Sequence, residues 1–117
     1  MQLSPRKRVV NALTGHDVDM APVANPSPII TTELQEKVGT FFPDANLDGE
    51  QMAELALAGH TVCGYDAVSP IFDAGTNEAA ALGVPVDWGD KDNLPSILGR
   101  IWETPDQIEI PDDFLDR

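Results

Sequence analysis

His60 and Cys63, separated by Thr61 and Val62, form the one His/Cys pair at metal-ligand spacing in a chain with two histidines and one cysteine. A tetrahedral zinc needs three or four ligands. The other histidine, His16, falls in a turn after the first predicted helix, so the residues favour a helix histidine beside a core cysteine over a metal centre. Carboxylates are plentiful, with 20 Asp and Glu. General acid and base work, however, needs a pair held in a cleft with separated pKa values, which spacing alone does not supply. There is no Gly-rich phosphate loop, no Gly-x-Ser-x-Gly elbow and no basic patch interleaved with aromatics. From the residues alone, no catalytic residue and no metal site is expected.

Composition narrows the class. The chain has 117 residues, a formal net charge of −13 and 42 % hydrophobic residues, which fits one folded domain and not a chain disordered through charge. Arg6, Lys7 and Arg8 are the only charges among the first ten residues, so the remainder holds all 20 acids against 4 bases. Such a surface excludes nucleic acid, because phosphate binding needs clustered cations. The three basic residues read as a solvated helix face. Apolar runs such as Ala79–Leu82 are far too short for a bilayer span, and Met1 is not followed by a secretory h-region. A lone cysteine agrees with a reducing compartment. A cytoplasmic protein with no membrane partner is expected.

The elements that would position any site follow from local signals. Ser4 as cap, Pro5 at the first helical position and Gly15 as stop predict a helix over about 5–14. Ala21–Asn25 reads as a short strand that Pro26 and Pro28 turn into a loop. Thr32-Glu33-Leu34-Gln35 has capping-box form, with Ile30, Leu34 and Val38 on one face and Gly39 as stop. Met52, Leu55, Ala56, Gly59, Val62 and Cys63 follow the helical template and predict a helix over about 49–63, closed by Gly64. Tyr65–Ser69 then reads as a second strand, so the order has the rhythm of parallel βαβ units. A helix over 76–82 follows. Val84–Trp88 and Pro95–Leu98, joined by a turn-rich stretch, predict a small antiparallel ribbon at the edge of the main sheet. Thr104–Gln107 predicts a short capped turn, and Pro111–Leu115 the first turn of a further helix.

Several stretches together resemble the beginning of the uroporphyrinogen decarboxylase superfamily. Ser4 to Gly15, then Val18-Asp19 and Ala21-Pro22-Val23, are similar to its starting helix and first barrel strand. Gly64-Tyr65-Asp66-Ala67-Val68, Phe72-Asp73, Ala81 to Val86 and Pro95-Ser96 resemble the second strand, its loop and the ribbon. The decarboxylases themselves carry an arginine-rich loop after the first strand, whereas here the loop is Asn25-Pro26-Ser27-Pro28-Ile29-Ile30 and no arginine lies between Arg8 and Arg100. Aligned on Ala81-Leu82-Gly83, their catalytic aspartate falls at Ala74, with Asp73 one residue early. Glu33 to Gly39, Phe42 to Ala45, Met52 to Ala56 and His60 before Gly64 resemble the corrinoid-dependent methyltransferases of the same superfamily.

That resemblance implies an α/β fold, the amino-terminal portion of a (β/α)8 barrel, with residues 1–117 as an incomplete part of it. It implies methyl transfer between a corrinoid and a thiol such as coenzyme M. The zinc of those enzymes is held by a His-x-Cys motif and a distant Cys in the later half of the barrel, and His60 and Cys63 do not match that motif. Zinc and corrinoid are thus implied for the whole enzyme, and none is expected to be bound by this segment alone. Barrel enzymes carry reactive groups at the carboxyl ends of strands, which nominates Asn25 and Ser27 after the first strand and Asp73 and Thr76 after the second as substrate-binding. Expected partners are the remainder of the barrel, a corrinoid protein or a second copy. The alternative is a free-standing small α/β binding module, and a third reading is residual decarboxylase activity.

Overall fold

The chain starts on a helix because its first residues satisfy the orphan donors of a helix end. Ser4 Oγ accepts the Lys7 N–H at 3.4 Å and Pro5 needs no partner in the first turn, which sets α1 at Pro5–Leu13. The structure, a computed structural model, describes residues 2–24, 30–70 and 75–116. α2 spans Thr32–Val38, and its cap is Thr31, one residue ahead of the predicted box, with Oγ1 accepting the Leu34 N–H at 3.2 Å. Gly39, at φ 84°, closes it. A four-residue helix that the periodicity did not announce, α3 (Asp44–Leu47), leads into α4 (Gly49–Thr61). Asp48 caps α4 by accepting the N–H groups of Glu50 and Gln51 at 2.9 and 3.1 Å. Then come α5 (Thr76–Ala81) and the antiparallel ribbon of β1 (Val86–Asp87) and β2 (Ser96–Ile97), in register Val86 with Ile97 and Asp87 with Ser96. Short 3-10 turns at Pro105–Gln107 and Phe114–Asp116 end the described chain; the helix start expected from Pro111 is only the second of these.

Among the described residues, the two predicted parallel strands are seen as a parallel bridge between Ala24 and Ala67. Asn25 and residues 71–74 lie outside the described residues. The Asp66 and Ala67 N–H groups both go to the Val23 carbonyl, at 2.7 and 3.4 Å, while the Val23 N–H is taken by the Asp66 carboxylate at 2.9 Å. A parallel pair is normally held by further strands on each side. Among the described residues the ribbon stands as a separate two-stranded sheet, not as an edge of a larger one.

The core lies between α2, α3 and α4. Phe42, Ala45, Leu55 and Ala56 are buried together, with Ile30, Val38 and Met52 packed against them. At its centre Gln35 is 0 % exposed, and both ends of its carboxamide are used. Oε1 accepts the Phe42 N–H at 3.0 Å, and Nε2 donates to the Lys91 carbonyl at 3.1 Å, tying the helical block to the turn between β1 and β2. Thr40 Oγ1 donates to Glu54 Oε2 at 2.6 Å, joining the end of α2 to α4. The far side of α4 runs so close to the Tyr65–Val68 segment that a Cβ on Gly59 would come within 2.9 Å of Val68 Cγ1.

Arg8 corrects the expectation of a solvated basic face, for it is buried. Its Nε and Nη2 grip Asp19 at 2.8 and 3.0 Å, Nη2 also donates to the Leu3 carbonyl at 3.0 Å, and Nη1 donates to Asp66. The guanidinium beside it, with help from the Leu3 N–H, holds the Asp19 carboxyl well below the usual carboxylate range. In turn the Asp19 hydrogen bond, and more weakly that of Asp66, raises Arg8 against the opposing pull of burial. One side chain thus binds α1 to both segments of the parallel bridge. Among the described residues, no helix is long and apolar enough to cross a membrane.

Candidate functional site

α5 begins at Thr76, the one sequence-nominated residue that the structure describes; Asn25, Ser27 and Asp73 lie outside the described residues. Thr76 is 4 % exposed and its Oγ1 has no hydrogen-bond partner. Asn77, next to it, faces a cavity of about 450 Å3 that is also lined by Asn46, Leu47, Asp48, Gly49, Ala80, Ala81 and Trp88. The walls come from three places: the junction of α3 and α4, one face of α5 and the end of β1. Asn46 is 3 % exposed, with neither its Nδ2 nor its Oδ1 hydrogen-bonded. Asn46 thus brings an unpaired buried carboxamide to the cavity wall, although such groups are nearly always paired in a finished fold.

The cavity has the character of a binding surface. Trp88, Leu47 and the two alanines supply apolar area, and Asn46, Asn77 and Asp48 supply polar atoms. Asp48 is held below the ordinary carboxylate range, chiefly by the Gln51 N–H, against burial and with the Glu50 N–H adding to it. It is therefore a fixed anion engaged in capping and not a proton donor at neutral pH.

His60 and Cys63 are not brought to this cavity. His60 Nδ1 donates to the Tyr65 carbonyl at 2.7 Å, so that ring nitrogen is engaged within the chain. Cys63 is exposed, which corrects the core position expected for it: α4 ends at Thr61, so the helical face that would have buried Cys63 is not continued. Among the described residues no three His, Cys, Asp or Glu side chains come together as a metal site. The described residues therefore do not fit the zinc that the resemblance implies for the whole enzyme.

Sequence reasoning missed Asn46, Trp88 and Gln35. Asn46 belongs to a helix too short to show a period, and the alternation that puts Trp88 in the ribbon does not tell which element its ring faces. The Arg8 network did leave a signal. Three cations in the first turn and a half of α1, with no acid in that helix, run against the helix dipole, so a carboxylate from elsewhere has to offset them.

Comparison with known proteins places this geometry. A family profile described as uroporphyrinogen decarboxylase (URO-D) matches residues 4–117. A methylated-thiol–coenzyme M methyltransferase from Methanosarcina mazei is 38 % identical over 111 residues, covering 95 % of this chain and 30 % of its own length. The methylcobamide:CoM methyltransferase MtbA of Methanosarcina acetivorans is 35 % identical over 92 % of this chain and 32 % of its own length. A solved methyltransferase from Methanosarcina mazei superposes with a TM-score of 0.83 at 31 % identity, over 99 % of this chain and 34 % of that one. The chain thus spans about a third of the length of the relatives it matches. It belongs to the uroporphyrinogen decarboxylase family, on the branch whose relatives are named as coenzyme M methyltransferases.

Proposed function

We propose that this chain supplies the front third of a cytoplasmic (β/α)8-barrel methyltransferase that moves a methyl group between a corrinoid, carried by a partner protein, and a thiol of the coenzyme M class. The observation that carries the reading is the 38 % identity with the Methanosarcina mazei thiol methyltransferase, spread along 95 % of the chain. In such a transfer the thiol loses its proton and its sulfur forms the new bond to the methyl carbon, while the electron pair of the broken bond stays with the donor. No group of this chain is assigned to that bond change, and no step is routed through zinc. Its part is to build and wall the site. Arg8 locks the two parallel segments at their start; Thr76, in the first turn of α5, is proposed to contact substrate. Asn25, Ser27 and Asp73 are assigned the same role from their sequence positions alone, after the two predicted strands.

The experiment is to join this chain to the remaining two-thirds of the Methanosarcina mazei relative and follow demethylation of methylcobalamin with coenzyme M as acceptor. Methyl-coenzyme M is expected as the product. A joined protein that unfolds cooperatively yet forms none would overturn the reading. A binding module without catalysis is the second reading, favoured by one observation: the cavity at Asn46, Asn77 and Trp88 is walled within this chain alone. A small polar ligand retained by the isolated chain would support it.

A further inference from the structure

Two carboxamides are buried in this molecule, and the chain treats them differently. Both ends of Gln35 are bonded within the fold. Asn46, only 3 % exposed, has neither Nδ2 nor Oδ1 bonded. A stranded donor and acceptor work against folding, and an apolar side chain of similar size would avoid the loss. Asn46 lines the cavity of about 450 Å3 described above, a size inside the roughly 300–1,000 Å3 of small-molecule sites. The terminal torsion of an asparagine is soft, so its carboxamide edge turns into that space without moving the backbone. The location points the same way. α4 carries the chain back from the carboxyl end of the first parallel segment to the amino end of the second, and α5 follows the second. The starts of both helices therefore belong to the carboxyl end of the pair, the side on which α/β folds bind ligands.

We propose that this cavity is a binding site for a neutral, flat molecule with a primary carboxamide at its edge, held by Asn46. The proposal names the ligand class for the binding-module reading and rests on that reading, not on methyl transfer. Each part follows from the walls. An asparagine with both polar atoms unpaired matches, in one plane, a group that offers an acceptor beside a donor, as another carboxamide does: Nδ2 donates to its oxygen and Oδ1 accepts from its N–H. Half-buried Trp88, Leu47 at 61 % exposed, and Ala80 and Ala81 give the body of the molecule an apolar surface to cover. Asp48 sets the charge. Its carboxylate, held ionised by the Gln51 and Glu50 N–H groups, lies on the same wall in a chain of net charge −13, so a carboxylate or phosphate ligand is repelled. An ammonium ligand offers donors only and leaves Asn46 Nδ2 stranded.

The test is titration of the chain with benzamide, followed by nitrogen–proton correlation NMR at the Asn46 side-chain amide and the Trp88 indole N–H. Saturable shifts at both, half complete at or below about 1 mM, are expected. Benzoate, which puts a carboxylate where the amide stands, and benzylamine, which puts an ammonium there, should each bind at least tenfold more weakly. Asn46→Leu should weaken benzamide binding at Trp88 at least tenfold while leaving the urea midpoint unchanged or higher, because it removes both stranded atoms together. That second readout separates a ligand-binding asparagine from a structural one. Shifts that do not saturate, equal affinity for benzoate, binding kept in Asn46→Leu, or a midpoint lowered as far as Gln35→Leu lowers it would overturn the proposal. Native mass spectrometry of the chain as purified distinguishes it from the reading beneath it. A retained ligand without an amide overturns the ligand class and leaves the binding module standing, whereas a chain that retains nothing and does not bind benzamide loses both.

Discussion

The block from α2 to α4 and the arm from residue 94 onward are both rich in aliphatic side chains, yet they treat them in opposite ways. Leu55 in the block is 0 % exposed and Leu115 in the arm is 93 % exposed. The difference is one of geometry. Three helices in close sequence turn their apolar faces on one another within this chain, so Phe42, Ala45, Leu55 and Ala56 find partners among themselves. Among its described residues the arm has only the two-residue strand β2 and two 3-10 turns, which offer no second layer. Apolar composition therefore does not mark the core of this molecule; what marks it is whether the chain itself provides the opposing face.

The comparison breaks first at Leu55. Leu55→Ala removes the centre of the block and should cost about 3 kcal/mol in urea unfolding; a loss near zero would mean that the block is no better packed than the arm. Next is Gln35→Leu, which removes the carboxamide's bonds to the Phe42 N–H and the Lys91 carbonyl from a fully buried position and should cost about 2 kcal/mol. The same variant should speed amide exchange over residues 89–93, since Gln35 is the tie between the block and that turn. If exchange there is unchanged, the turn is held by its own Asp90 bonds alone.

Acid should weaken the structure next. Asp19, Asp48, Glu33 and Asp90 all have carboxyls lowered in the folded state, by the Arg8 guanidinium for Asp19 and mainly by backbone N–H bonds for the others. A lowered carboxyl stabilises the fold above its unfolded pKa, and that contribution disappears as pH falls through the folded value. The thermal midpoint should thus hold from pH 7 to about pH 5 and drop by roughly 5 °C or more below about pH 4. A midpoint that rises on acidification would show that repulsion among the 20 acids outweighs these bonds. Smallest of all should be Ile110→Asp in the isolated chain, within about 0.5 kcal/mol, because Ile110 is already exposed there. A larger loss would show that the arm is packed after all.

Helix starts were legible because capping is local. Ser4 with Pro5, and Asp48 ahead of Met52 and Leu55, set α1 and α4 close to their predicted ranges, since a cap needs only residues two or three positions away. The ribbon was legible for the same reason, its two strands lying on either side of a turn-rich stretch. α3 was not, because four residues show no period. Thr76 is nominated by its place after the second strand segment but does not line the cavity, while Asn46 and Trp88 became neighbours only when α3, α5 and β1 converged.

By itself, then, the sequence determined α1, α2, α4 and α5, the ribbon, the acidity and the family. Those rest on short-range chemistry or on residue identity along the chain. Only the tertiary structure decided that Arg8 is buried and Cys63 exposed. Arg8 is held by Asp19 and Asp66, 11 and 58 residues away, and no local pattern records a partner at that distance. The same holds for the arm, which meets no opposing layer among the described residues.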